Sequence, residues 1–177
     1  MIALTRILVP TNLGEPSKSA LRYGVALARR FQATLCVLRV LSRAEFDQVV
    51  EAERVVEALL EDDATRVKPT IDGIVESVAR ASLSRLLEPQ AAADVRAVYL
   101  LRPTEPSGPH DAIVACARDR GIDLIIMGRH RVGRVDQLLA GSVTERVVRN
   151  AHCPVLVVHH PEHEFVLPDD PGAPPEH

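Results

Sequence analysis

At 177 residues the chain has the length of one compact domain with a full core, and its formal net charge of −3 leaves no basic excess to attract nucleic acid. Trp is absent and aromatic residues make up 3%, so the interior must be built from Val, Leu, Ile and Ala, as in a parallel sheet buried on both faces. The three cysteines, Cys36, Cys116 and Cys153, lie far apart and support neither a disulfide framework nor a zinc cluster.

The chain opens directly in a strand, Ile7-Leu8-Val9-Pro10, with no signal peptide and no membrane-spanning run, which fits a reducing cytoplasm. Ser17 to Phe31 reads as a helix carrying Ala20, Leu21, Gly24, Leu27 and Ala28 at helical spacing, with Ser17 or Ser19 as its cap. Leu35 to Leu41 is the second strand, and its Cys36 reads as a buried small hydrophobe. Residues 44–66 and 70–88 read as two helices parted at Lys68-Pro69, because proline disfavours helix at the residue before it. Val95 to Leu101 is the third strand, Arg102 to Pro109 a Pro-rich loop, and Asp111 to Arg120 a helix with Cys116 on its apolar side. Ile122 to Met127 is the fourth strand, followed by a glycine and a basic loop, Gly128-Arg129-His130-Arg131. Val135 or Asp136 to Asn150 is the last helix and Val155 to His159 the last strand. Residues 161–177 form a Pro- and acid-rich tail, leaving residues 1–160 as the domain.

Strands alternating with helices imply an α/β fold: a single open, Rossmann-like parallel sheet of five strands in the order 3-2-1-4-5, with helices on both faces. Ligands of such sheets bind beyond the carboxyl ends of the strands, where the strand order reverses, here between strands 1 and 4. Pro10, Thr11 and Asn12 then line one side, and Met127, Gly128, Arg129, His130 and Arg131 the other, with Val40 as a wall. Gly141-Ser142-Val143-Thr144, at a helix start, presents backbone N–H groups of the kind that hold phosphate. That crevice suits a nucleotide. Each residue also has a plainer reading: Gly128 as a strand terminator, Gly141 and Ser142 as a turn, and Thr11 and Asn12 as turn residues before a helix.

Three stretches resemble the universal stress protein family, and the likeness runs over roughly residues 3–160. They are Ile7-Leu8-Val9-Pro10-Thr11-Asn12 with Glu15-Pro16-Ser17 and Ala20; Asp123 to Gly128; and Leu138 to Val143 with Glu145-Arg146-Val147 and Cys153 to Val158. The resemblance implies a homodimer formed through the last strand, Val155, Leu156, Val157 and Val158, and an adenine-nucleotide site. In nucleotide-binding members that site carries a Gly-two residues-Gly-nine residues-Gly-Ser/Thr motif and an aspartate after the first strand. Carried over by position, the outer glycines are Gly128 and Gly141 and the hydroxyl residue is Ser142, but the middle glycine falls on Arg131 and the aspartate on Asn12.

Two functions remain open on this basis. One is a stress-response binding or regulatory module, homodimeric, with a degraded or modified adenine-nucleotide site. The other is an ATP-binding switch in which Arg131 contacts phosphates bidentately and Mg²⁺ or Mn²⁺ is held mainly by the phosphates. An adenine-nucleotide-dependent enzyme would need a catalytic group, and no nucleophile–base set or Walker-type Gly-Lys-Ser/Thr is present in the sequence. His159, His160 and His163 read as surface or interface histidines rather than metal ligands, and His110-Asp111 as local capping. His130 stands out as a residue over the crevice able to meet phosphate or act as a pH-sensitive gate. Neither nucleic acid nor a membrane is an expected partner.

Overall fold

The computed structural model describes residues 3–59, 95–130 and 143–160. In these residues the chain runs β1 (Arg6–Pro10), α1 (Glu15–Phe31), β2 (Thr34–Leu41), α2 (Arg43–Leu59), β3 (Ala97–Pro103), α3 (Pro109–Asp119), β4 (Leu124–His130), α4 (Val143–Asn150) and β5 (Val155–His160). The five strands form one sheet in the order β3-β2-β1-β4-β5, and each strand runs parallel to its neighbours. The expected helix at 70–88, the end of the helix expected at 44–66, and the tail after residue 160 lie outside the described residues.

The central strand explains why its sequence shows no alternation. Ile7, Leu8 and Val9 are fully buried, because helices cover both faces of the sheet. Ile7 and Val9 join Leu35, Val37, Ile126 and Val158 under α1, which contributes Ala20, Leu21, Val25 and Ala28. Leu8, Cys36, Leu38, Ile125 and Met127 point the other way, against Ile113, Cys116 and Ala117 of α3 and Val147 of α4. At Gly24 the helix lies close on the sheet: a β-carbon there would stand 2.7 Å from Val9 Cγ2 and 3.1 Å from Leu35 Cδ1.

Local chemistry sets the helix starts. α2 begins with a capping box, in which the Ser42 N–H and hydroxyl donate to Glu45 Oε2 at 2.8 and 2.6 Å and the Glu45 N–H donates back to Ser42 Oγ at 3.2 Å. These bonds from Ser42 hold the Glu45 carboxyl below its usual range. α1 starts two residues earlier than its periodicity implies, with Gly14 as N-cap and Pro16 in the first turn, so neither Ser17 nor Ser19 is its cap. α3 likewise starts at Pro109, which places His110 inside the helix and buries it.

At the other end of the sheet one carboxylate ties two strands together. Asp123 Oδ2 accepts from the Thr5 N–H and hydroxyl, both at 2.7 Å, and from the Arg6 N–H at 2.9 Å. The Thr5 hydroxyl is the main cause holding this carboxyl below its ordinary value. Burial, by contrast, pushes the thiols of Cys36, Cys116 and Cys153 up, and all three cysteines are free. Among the described residues no helix is long and apolar enough to cross a membrane.

Candidate functional site

The switch point of the sheet lies between β1 and β4, as the strand order requires. These two strands pair only at Ile7↔Leu124 and Leu8↔Ile125, whereas β4 stays in register with β5 from Ile125↔Val155 to His130↔His160. A crevice therefore opens past Ile125, with the turn after β1 on one side and the second half of β4 on the other.

The turn after β1 is closed by its own side chains. The Thr11 N–H donates to Leu38 O at 2.8 Å, and Thr11 Oγ1 accepts from the Leu13 N–H at 3.0 Å. Leu13 sits in the left-handed region, at φ 67°. Asn12 Oδ1 accepts from the Gly14 N–H at 3.0 Å and from the Ser17 hydroxyl at 2.7 Å, while the Asn12 N–H donates to Ser17 Oγ at 3.2 Å. The Gly14 N–H needs an acceptor, which fixes the orientation of the Asn12 amide. Its amino group, Nδ2, has no partner among the described residues. Thr11 and Asn12 thus serve the turn that launches α1, and exposed Asn12 keeps only donor capacity to spare.

The other side differs from the sequence expectation. Gly128, Arg129 and His130 do not form a loop: they extend β4, paired with Val158, His159 and His160. Gly128 is glycine for a packing reason. A β-carbon there would overlap the carbonyl group of Pro16 and stand 3.0 Å from Pro16 Cα, where the first turn of α1 rests on β4. Met127 turns its side chain to the opposite face and is buried beneath α3 and α4. Val40 is half-buried on that same face, next to Arg102, which belongs to β3 rather than to the expected loop.

Val143 and Thr144 open α4, whose first turn carries Glu145, ion-paired with Arg149 at 2.7 Å. Arg146 Nη1 donates to Ser107 O at 3.5 Å and so joins α4 to the loop before α3. In that loop the Ser107 hydroxyl donates to Asp111, whose other oxygen lies 3.4 Å from Nε2 of buried His110. Arg131, Gly141 and Ser142 lie outside the described residues. The structure therefore brings Pro10, Thr11, Asn12, Gly128 and Arg129 to one end of the sheet. Pro16 and Ser17 also belong there, a contribution the sequence reading missed. Its signal was the spacing of Asn12, Gly14 and Ser17 around a proline, a helix-start pattern. Among the described residues no group of three or more His, Cys, Asp or Glu side chains is placed to hold a metal ion.

The sequence pattern of the universal stress protein family matches residues 3–159. The chain belongs to the universal stress protein family. A universal stress protein of Methanocaldococcus jannaschii is 27% identical over 162 residues, covering 90% of this chain and 84% of its own. The universal stress protein YxiE of Bacillus subtilis is 27% identical over 155 residues, covering 86% of this chain and 97% of its own. Among solved structures, a universal stress protein in complex with cAMP superposes with a TM-score of 0.59 at 19% identity, covering 89% of this chain and 98% of its own. A universal stress protein of Lactobacillus plantarum gives 0.52 at 22% identity, covering 89% of this chain and 99% of its own. The two structures share the fold described above.

Proposed function

We propose that this universal stress protein is a homodimeric binding or regulatory module of the stress response, with a modified adenine-nucleotide site and no dedicated catalysis. The observation that carries this reading is the state of Asn12. Its acceptor oxygen is committed to Gly14 and Ser17, which leaves an amide donor where the family resemblance implies a carboxylate. A donor binds a ribose hydroxyl without charge assistance, a loss of about 1 kcal/mol. Arg131, in the position of the middle glycine, is the second alteration. A similar fold that holds cAMP supports an adenine nucleotide as the ligand class. The same site, with Gly128, Arg129, His130, Gly141, Ser142, Val143 and Thr144 around the phosphates, would take ATP with Mg²⁺ or Mn²⁺.

Titration calorimetry of Mg-ATP into nucleotide-stripped protein, with Arg131→Gly in parallel, tests this reading. Weak or absent binding that the glycine variant restores supports the modified site. Micromolar binding by the wild type, lost on Arg131→Gly, replaces it with the ATP switch in which Arg131 grips phosphate.

The dimer rests on β5. It lies at the sheet edge, and an apolar edge strand is covered when it pairs with its twin across a two-fold axis. Val157→Asp is expected to yield monomers on a sizing column, and an unchanged dimer would remove this interface. We place the domain at residues 1–160, the tail at 161–177, and the protein in the cytoplasm.

A further inference from the structure

Every strand of a parallel sheet starts at one end, and the helices that return the chain finish there. In this protein that amino end is lined with arginine. Arg6 opens β1, and Arg96 stands just before β3. Arg29 and Arg30 close α1, Arg118 and Arg120 close α3, and Arg149 closes α4. All of these side chains are exposed, and Arg6 Nη1 donates to Arg120 O at 2.7 Å, joining the start of β1 to the end of α3.

Little at this end answers the charge. Asp123 is committed to Thr5 and to the Arg6 N–H, which leaves exposed Asp119, while Arg149 pairs with Glu145. Arg30, Arg96, Arg118 and Arg120 have no carboxylate partner among the described residues. Basic residues in a last turn do answer the helix carbonyls. A helix end carries only about half an elementary negative charge, however, so three ends leave most of this positive charge uncompensated.

The chain carries its own source of acid. Residues 161–177 hold Glu162, Glu164, Asp169, Asp170 and Glu176 and no Lys or Arg, so residues 1–160 have a formal net charge of +2 against −3 for the whole. Phe165-Val166-Leu167 stands between these acids in the sequence, and Phe31, exposed beside Arg29 and Arg30, offers an apolar contact.

The β5 dimer decides which subunit's tail can reach. β5 has six residues and is therefore about 20 Å long, so its own tail starts that far from the arginine-lined end. A two-fold axis through the middle of antiparallel β5 strands reverses this, because His160 of the partner subunit then comes level with Val155. From there β1 is three strand spacings away, about 14 Å. Extended chain from residue 160 to residue 169 spans about 30 Å, more than enough.

We propose that the acidic tail of each subunit docks on the arginine-lined amino end of the partner subunit's sheet. This rests on the antiparallel β5 dimer proposed above. Guanidinium forks match carboxylates, and a group of exposed pairs acts together where one pair alone contributes little. Such a contact is screened by salt.

The test is paramagnetic broadening in mixed dimers of the full chain. A nitroxide is placed on Ala173→Cys in a Cys153→Ser background, in a subunit without isotope label, and amides are read in its isotope-labelled partner. Light scattering gives the oligomeric state of every sample, and a thermal melt verifies folding of every variant. The amides of Asp119, Arg120 and Gly121 are expected to lose intensity, while those of Asn12 and Gly14 at the opposite end stay sharp. The loss should disappear between about 0.1 M and about 1 M salt, as the Debye length falls from about 10 Å to about 3 Å. It should also disappear in Asp169→Asn with Asp170→Asn, and in Arg118→Gln with Arg120→Gln. Broadening that survives both pairs of substitutions overturns the proposal. So does broadening seen only when both labels share one subunit, or none in either arrangement, and each of these leaves the dimer standing. A monomer by light scattering removes the dimer and the exchanged tail together.

Discussion

Gly128→Ala isolates the contact that shapes the crevice. The added β-carbon would overlap the Pro16 carbonyl group and stand 3.0 Å from Pro16 Cα. Comfortable carbon–carbon contact lies at about 3.5–4.0 Å and the Pro16 carbonyl carbon would stand closer than its Cα, so the first turn of α1 must retreat by more than about 1 Å. The obstacle is backbone, and no side-chain rotation relieves it. The retreat pulls on the bonds joining Asn12, Gly14 and Ser17 and on buried Pro16, Ser17 and Ala20. Overpacking of this kind costs about 3 kcal/mol, offset by about 0.5–1 kcal/mol from replacing a mid-strand glycine. The net loss is about 2 kcal/mol, a fall in urea midpoint of about 1 M at a typical slope of about 2 kcal/mol/M. Ligand-free urea denaturation followed by circular dichroism reads it, with the slope checked for constancy. A midpoint unchanged from wild type would refute the packing account of Gly128 and leave the glycine to be explained by ligand contact alone.

Gly24→Ala pits helix propensity, worth about 1 kcal/mol, against crowding of Val9 and Leu35; the collision is expected to win by about 1 kcal/mol in thermal unfolding. For Asp123 the folded carboxyl lies below its ordinary value, so its stabilisation is present above the unfolded value of about 4 and is lost as pH falls through the folded one. Discounted for exposure, Asp123→Asn should cost about 1 kcal/mol at neutral pH, a deficit that narrows below about pH 4; a pH-independent deficit would contradict the charge-based account. Alkylation should reach half-buried Cys153 before Cys36 and Cys116, which react on the timescale of unfolding; equal rates under native conditions would contradict the burial of both core thiols.

The parts of this fold that were legible are those written in short-range pattern. Ile7-Leu8-Val9 reads as a strand buried on both faces because nothing in it alternates, and Ala20, Leu21, Gly24 and Ala28 read as one helix stripe. Boundaries failed where a tertiary neighbour decided them. Gly128 resembles a strand terminator, yet β4 continues to His130, because β5 extends the ladder and α1 leaves no room for a side chain. His110 resembled a cap with Asp111, but Pro109 starts α3 earlier and turns the imidazole into the protein. The pairing of Arg129 with His159 lay beyond local reading, since it depends on the register of two strands joined through a helix.

Asn12 shows how far a motif can be carried without its hydrogen bonds. By the family resemblance it stands where an aspartate is expected, and the simple expectation is a weaker version of the same contact. A carboxylate in the Asn12 position would still accept from Gly14 and Ser17 through one oxygen and would offer the other to a ligand as an acceptor. The amide makes the same two bonds and then offers a donor. The change at this position is therefore one of polarity as well as charge. A ligand group that can only donate loses its partner here, while a ribose hydroxyl, able to donate or accept, keeps a neutral hydrogen bond. Asn12→Asp is accordingly expected to strengthen binding of an adenosine ribose about fivefold in calorimetry, and to leave tripolyphosphate binding no stronger, because an added carboxylate repels phosphate. Equal gains for both ligands would show that Asn12 does not meet the ribose.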